Sequence, residues 1–211
     1  MKSPKKILAL IPIFGICFVT TELSARIGES RDSITSRLTE SGGLLIRDNE
    51  IVDERMRKMP YHEYMRFLEN TVNVEIYYKT FDGSRPKLSD ITVKRSPPGW
   101  ELHVIYMNGK SVLEAYSSSG KISEYEMNQI LALNSGGSRW ERFDVKATAS
   151  GSEEKVVSAF GFSMQRSDET VRANSSGKGG LMIFSAQLDT FLANAKQSNL
   201  QEDAPISTSG F

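Results

Sequence analysis

Three observations predict an α+β fold for this chain: a mostly antiparallel sheet of about five to seven strands with helices packed on one face. Asn108-Gly109 lies between two runs of strand-type residues. A helical segment with its own cap begins at Ser123. Around this unit, short alternating or apolar segments are separated by Gly, Pro and Asp, as in a meander of short strands.

The hairpin comes first. Asn and Gly both tolerate φ > 0, which a two-residue type I′ turn requires. Such a turn sets a register. Met107 faces Lys110, Ile105 faces Val112 and His103 faces Glu114 on one side. Tyr106 meets Ser111, Val104 meets Leu113 and Leu102 meets Ala115 on the other. Trp100, Leu102, Val104, Tyr106, Leu113 and Ala115 form the expected core face. The opposite face mixes Ile105 and Val112 with Glu101, Lys110 and Glu114, so half-exposure is expected there. Pro97-Pro98-Gly99 makes an abrupt entry, because proline donates no ladder hydrogen bond.

The helix after the hairpin has Ser123 at its N-cap and Glu126 three residues on, a reciprocal capping box. Ile122 and Met127 are spaced for a hydrophobic staple. Met127, Ile130, Leu131 and Asn134 follow helical spacing, Gly136-Gly137 supplies a left-handed stop, and Trp140 is placed to fold back on the helix.

Before the hairpin, Ser30 caps a short helix with Ile34 and Leu38 one turn apart, ended by Gly42-Gly43. Leu44 to Ile46 is a short strand and Glu50 to Lys58 a helix. Pro60 starts another helical turn with Tyr61, Tyr64, Met65 and Leu68 on its inner face. Val72 to Lys79 is a strand, and Ile91 with Val93 a shorter one. After the hairpin and its helix, strands are expected over Phe143 to Ala149, Lys155 to Met164 and Leu181 to Ala186. The polar, glycine-rich stretch Asp168 to Gly180 reads as a long mobile loop. A closing helix carries Leu188, Phe191, Leu192 and Ala195. The domain spans 26–196, and 197–211 is expected to be a disordered polar tail.

Residues 1–25 carry export chemistry. Lys2, Lys5 and Lys6 precede an apolar run from Ile7 to Val19, and Leu23-Ser24-Ala25 ends in a small residue, the order of a cleavable signal peptide. The run is shorter than the ~20 residues of a spanning helix, so membrane attachment is expected only if the signal stays uncleaved. Export places the protein in the periplasm or outside the cell. Cys17, the single cysteine, falls inside this leader, so the exported chain has no thiol for catalysis, disulfides or zinc. Without Lys2, Lys5, Lys6 and Glu22, the 26 basic and 26 acidic residues become 23 and 25, a net charge of −2. The signs are interspersed, which argues against a nucleic-acid partner.

Gly28-Glu29-Ser30 followed by Ile34 and Leu38 is similar to the opening of envelope domains of the outer-membrane assembly lipoprotein type, SmpA/OmlA. That resemblance implies a helical pair on a short antiparallel sheet. The Gly109-Lys110 hairpin, Ser-capped helix, Leu131-Ala132-Leu133-Asn134, two glycines and Trp140 resemble stretches of uncharacterised exported bacterial proteins, and this implies no activity.

Motifs for catalysis are sparse. His62 and His103 lack ligand-type spacing, so no metal and no cofactor are expected. His103 opposite Glu114 is the one candidate catalytic pair, since a cross-strand carboxylate can orient an imidazole as a general base. Ser84-Arg85-Pro86-Lys87 matches the Ser-x-x-Lys pattern of penicillin-recognising enzymes, but its Ser-Asp-Asn and Lys-Thr-Gly companions are missing. Trp100, Trp140 and Tyr106 offer an aromatic platform for a small ligand or glycan, with burial in the core as the plainer account. The expectation is an exported, non-catalytic envelope protein with a binding or structural role and an envelope protein as partner. The alternatives are an envelope hydrolase using His103 and Glu114, or a small-ligand or glycan binder.

Overall fold

The Asn108-Gly109 turn has both central residues at positive φ, 52° and 73°. It joins β3 (Gly99–Met107) to β4 (Lys110–Ser118). The structure, a computed structural model, describes residues 26–68, 72–143, 156–176 and 179–202. The predicted strands over residues 144–149, the leader 1–25 and the tail from 203 onward lie outside the described residues.

The remaining strands are β1 (Leu44–Ile46), β2 (Asn73–Thr80), β5 (Trp140–Arg142), β6 (Met164–Arg166), β7 (Val171–Ser176) and β8 (Gly180–Ser185). All eight form one sheet in the order β1-β2-β3-β4-β8-β7-β6-β5, and every pairing is antiparallel. The architecture is α+β, with one strand more than the expected maximum.

Helices cover both faces of this sheet, not one. The reason lies in the two central strands. Leu102, His103, Val104, Ile105 and Tyr106 are all buried, as are Leu113, Glu114, Ala115 and Tyr116. A continuous buried run means that neither face of the strand meets water. Helices α1 (Arg31–Glu40) and α3 (Glu124–Leu133) cover the first face, setting Ile34, Leu38, Ile130 and Leu131 on Tyr77, Leu102, Val104 and Tyr116. The second face is covered by α2 (Asn49–Met56), a 3₁₀ helix (Pro60–Phe67) and α4 (Ala186–Glu202). Tyr61, Tyr64, Leu188 and Leu192 pack there on Ile105, Leu113, Ala115 and Phe184.

Local signals act where they are strongest. Ser30 caps α1 and Asp48 caps α2. Ser123 and Glu126 exchange both bonds of the capping box on α3. Trp140 does fold back: its Nε1–H donates to the Leu131 carbonyl at 2.7 Å.

Three expected elements differ. Ile91 and Val93 form no strand, because Thr92 N–H donates to the Arg95 carbonyl at 2.8 Å and turns the chain locally. Residues 156–163 are irregular instead of extended, since the N–H groups of Ala159 and Phe160 donate to the Asp189 carboxylate and not to a neighbouring strand. The polar stretch after Asp168 contains strand β7, with Val171 and Ala173 in the core. Its polarity is neutralised by tertiary partners: Arg172 pairs with Asp189 at 2.7 Å and lies over the Phe162 ring at 4.5 Å. Helix α4 also continues to Glu202, past the expected end of the domain.

Gly99 marks where β3 meets β2. A Cβ at this position would overlap the Lys79 carbonyl oxygen and lie 2.8 Å from the Tyr78 hydroxyl. Backbone cannot retreat as a flexible side chain can. Gly99→Ala is therefore expected to lower stability by about 1–3 kcal/mol in urea denaturation, the usual cost of overpacking. A change within a few tenths of a kcal/mol would show that the two strands separate freely here.

Candidate functional site

The expected His103–Glu114 pair does not form. The register runs Met107↔Lys110 and Tyr106↔Ser111, then Ile105↔Leu113, Val104↔Glu114 and His103↔Ala115. Val112 is the extra residue of a β-bulge, and a one-residue slip moves every later side chain to the other face. The cause is distant in sequence. Segment 26–31 docks on the hairpin end, where Gly28 N–H donates to the Ser111 carbonyl at 2.8 Å and Ser111 N–H donates to the Glu29 carbonyl at 2.9 Å. Ser111 Oγ also donates to the Arg26 carbonyl at 2.6 Å. With Ser111 engaged outward, the ladder resumes one residue later. His103 then faces α2 and the 3₁₀ helix, while Glu114 faces α1 and α3.

Glu114 is fully buried among core residues. Tyr116 Oη donates to its Oε2 at 2.7 Å, and Asn134 Nδ2 to the same oxygen at 3.4 Å. Among the described residues, its Oε1 has no hydrogen-bond partner. Burial pushes the carboxyl up from 4.5 to about 8, against the opposing pull of the Tyr116 and Asn134 bonds; Glu29 adds to the rise and Arg37 reduces it. Asn134 in turn accepts the Ile27 N–H at 3.2 Å, so this group helps to hold the segment that creates the bulge.

His103 heads a different chain of bonds. Tyr61 Oη lies 2.6 Å from its Nδ1, and Glu101 Oε1 lies 2.8 Å from its Nε2. Burial, then the nearby Arg55 cation, pushes the imidazole down to about 3, so it is neutral at physiological pH. A neutral ring has one donor and one acceptor nitrogen. The carboxylate requires the donor at Nε2, which leaves Nδ1 to accept the Tyr61 O–H. Burial holds that phenol well above the usual tyrosine range. Glu101 passes the chain on to Arg55 through an ion pair. Arg55 Nη2 donates to Ser96 Oγ at 2.6 Å and to the Thr92 carbonyl at 3.2 Å.

The outer end of this chain opens on a cleft of about 320 Å³, lined by Arg55, Lys58, Lys94, Arg95, Ser96 and Ser117 among others. This is the candidate site, and nothing in the sequence flagged it. Arg55 and Glu101 are 46 positions apart and share no motif. The only local hint is that Glu101 interrupts an apolar strand.

The other candidates are not assembled. Trp100 and Trp140 sit on β3 and β5, five sheet positions apart, roughly 24 Å at ordinary strand spacing. Tyr106 is buried at the far end of β3 from Trp100. Ser84 lies in a loop and not at a helix start, with its hydroxyl donated to Asp82 at 2.7 Å. Among the described residues, no three His, Cys, Asp or Glu side chains are grouped to hold a metal ion. Among them too, no helix is long and apolar enough to cross a membrane. No protein-family model, curated protein or solved structure matches the chain.

Proposed function

We propose that this chain is an exported, non-catalytic protein of the cell envelope that works by binding a partner or structural component there. One observation carries the non-catalytic part. The candidate catalytic pair His103 and Glu114, and the Tyr61 bonded to His103, are 0%, 0% and 1% exposed. A general base must come within about 3 Å of the proton it removes, and no substrate reaches these groups. Each is also occupied by a structural bond to a neighbouring element. The export part rests on the basic n-region, apolar run and small-residue end of residues 1–25.

The test is fractionation of the native cells, intact-mass measurement of the protein recovered, and affinity capture from the envelope fraction. The expected result is a chain starting at Arg26, found with the envelope and retained with a stoichiometric component of it. A cytosolic protein that keeps its first 25 residues would sink the proposal.

A further inference from the structure

We infer that the cleft beside α2 is a binding site for a phosphoryl group. The inference rests on the binding role proposed above and names its ligand chemistry. Four cationic side chains line the cleft, Arg55, Lys58, Lys94 and Arg95, against one carboxylate, Glu101, which is already bound to Arg55. Glu54 lies on the solvent side of α2 and is shared by Arg57 and Lys58. Among the described residues, Lys94 and Arg95 enter no ion pair. The positive excess is therefore concentrated on one short turn at the rim of the cleft.

Charge alone gives loose attraction; the geometry supplies order. The turn bearing Lys94 and Arg95 is closed twice, by Thr92 N–H on the Arg95 carbonyl at 2.8 Å and by Arg95 N–H on Thr92 Oγ1 at 3.1 Å. Arg55 ties the same turn to α2 through Thr92 and Ser96. Its own guanidinium is held from beneath by Glu101, His103 and Tyr61 in succession. The turn backbone and the Arg55 guanidinium thus stand in place before a ligand arrives, which reduces the ordering cost of binding.

The arrangement fits a phosphoryl group better than a carboxylate. A carboxylate is satisfied by one bidentate guanidinium, but the Nη1 of Arg55 is on Glu101 and its Nη2 on Ser96 and the Thr92 carbonyl. The unpaired cations, Lys94 and Arg95, come from the 92–95 turn and Arg55 comes from α2, with Ser96 and Ser117 lining the same cleft. That spread suits a tetrahedral anion with three outward oxygens and up to two negative charges. The cavity has room for the phosphoryl group and part of whatever bears it. In an envelope that bearer is a soluble phosphate ester or a phospholipid headgroup.

The experiment uses protein purified from the envelope fraction, beside its Lys94→Ala/Arg95→Ala variant. Both side chains are exposed, so the variant keeps the fold, checked by circular dichroism. Inorganic phosphate is titrated by calorimetry, and phosphatidylglycerol vesicles are tested by co-sedimentation. Saturable phosphate binding weakened about tenfold or more in the variant supports the site with a soluble ligand, a loss of ~1.4 kcal/mol. Vesicle binding that the variant loses, with no phosphate binding, supports a headgroup ligand. No binding of either probe, or binding that the variant leaves unchanged, overturns the inference. Turnover of p-nitrophenyl phosphate, abolished in the variant, would uphold the phosphoryl site and overturn the non-catalytic reading, so the two fail separately.

Discussion

Glu114→Gln is expected to raise the stability of this protein at pH 9 by about 3–5 kcal/mol and to leave it nearly unchanged at pH 4.5. The sign follows from the direction of the shift. Burial lifts the Glu114 carboxyl from 4.5 in the unfolded chain to about 8 in the folded one. The folded state therefore holds the proton more tightly. Its contribution is full below pH 4.5, declines as pH rises toward 8, and is gone above that. Glutamine keeps the shape and an acceptor for the Tyr116 hydroxyl, but never ionises. His103 titrates in the opposite sense, losing stability as pH falls from 6.5 toward 3. It is present in both proteins, so it cancels in their difference. Urea denaturation of the two across pH 4.5–9 gives that difference directly. Parallel curves would mean that Glu114 stays ionised in the folded protein, and that water or a cation reaches it.

Asp189→Ala is expected to cost about 3–5 kcal/mol, the penalty for leaving one member of a buried pair alone. Asp189 is fully buried at the start of α4. One oxygen accepts from Arg172 at 2.7 Å, and the other accepts the Ala159 and Phe160 N–H groups at 2.8 and 3.1 Å. Removing it strands a guanidinium and two backbone donors at once. It also loosens the 156–163 segment, which keeps the Tyr64 bond to the Ala159 carbonyl and the Asn174 bond to the Phe160 carbonyl. A thermal midpoint lower by roughly 8–15 °C is the matching readout for a chain of this size. Asp189→Asn keeps acceptor geometry without the charge and should fall between the two. The double variant Arg172→Met/Asp189→Ala should recover part of the loss, because no charge is then stranded. A loss under ~1 kcal/mol in Asp189→Ala would show that the pair is solvated and the segment held otherwise.

Both predictions concern side chains buried by elements far away in sequence, and this sets the limit of what the chain discloses. The elements decided by neighbouring residues were legible. Asn108-Gly109 turns because only those residue types accept positive φ cheaply. Ser123 and Glu126 start a helix because each satisfies the other's orphan donors. Ser30, Gly42, Leu188 and Leu192 place α1 and α4 for the same local reasons. The α+β class follows from that set.

The tertiary structure decided what the sequence could not. Docking of residues 26–31 on Ser111 creates the bulge, and the bulge separates His103 from Glu114. Strand β7 forms from a polar stretch because Asp189, 17 residues on, takes up the charge of Arg172. The Arg55 cleft arises because Glu101 turns inward to a histidine and a tyrosine from another element. Turn and cap chemistry act over two to four residues, so they can be read along the chain. Which polar groups are buried together depends on pairings across the whole sheet, and only the folded protein brings those groups within hydrogen-bond reach.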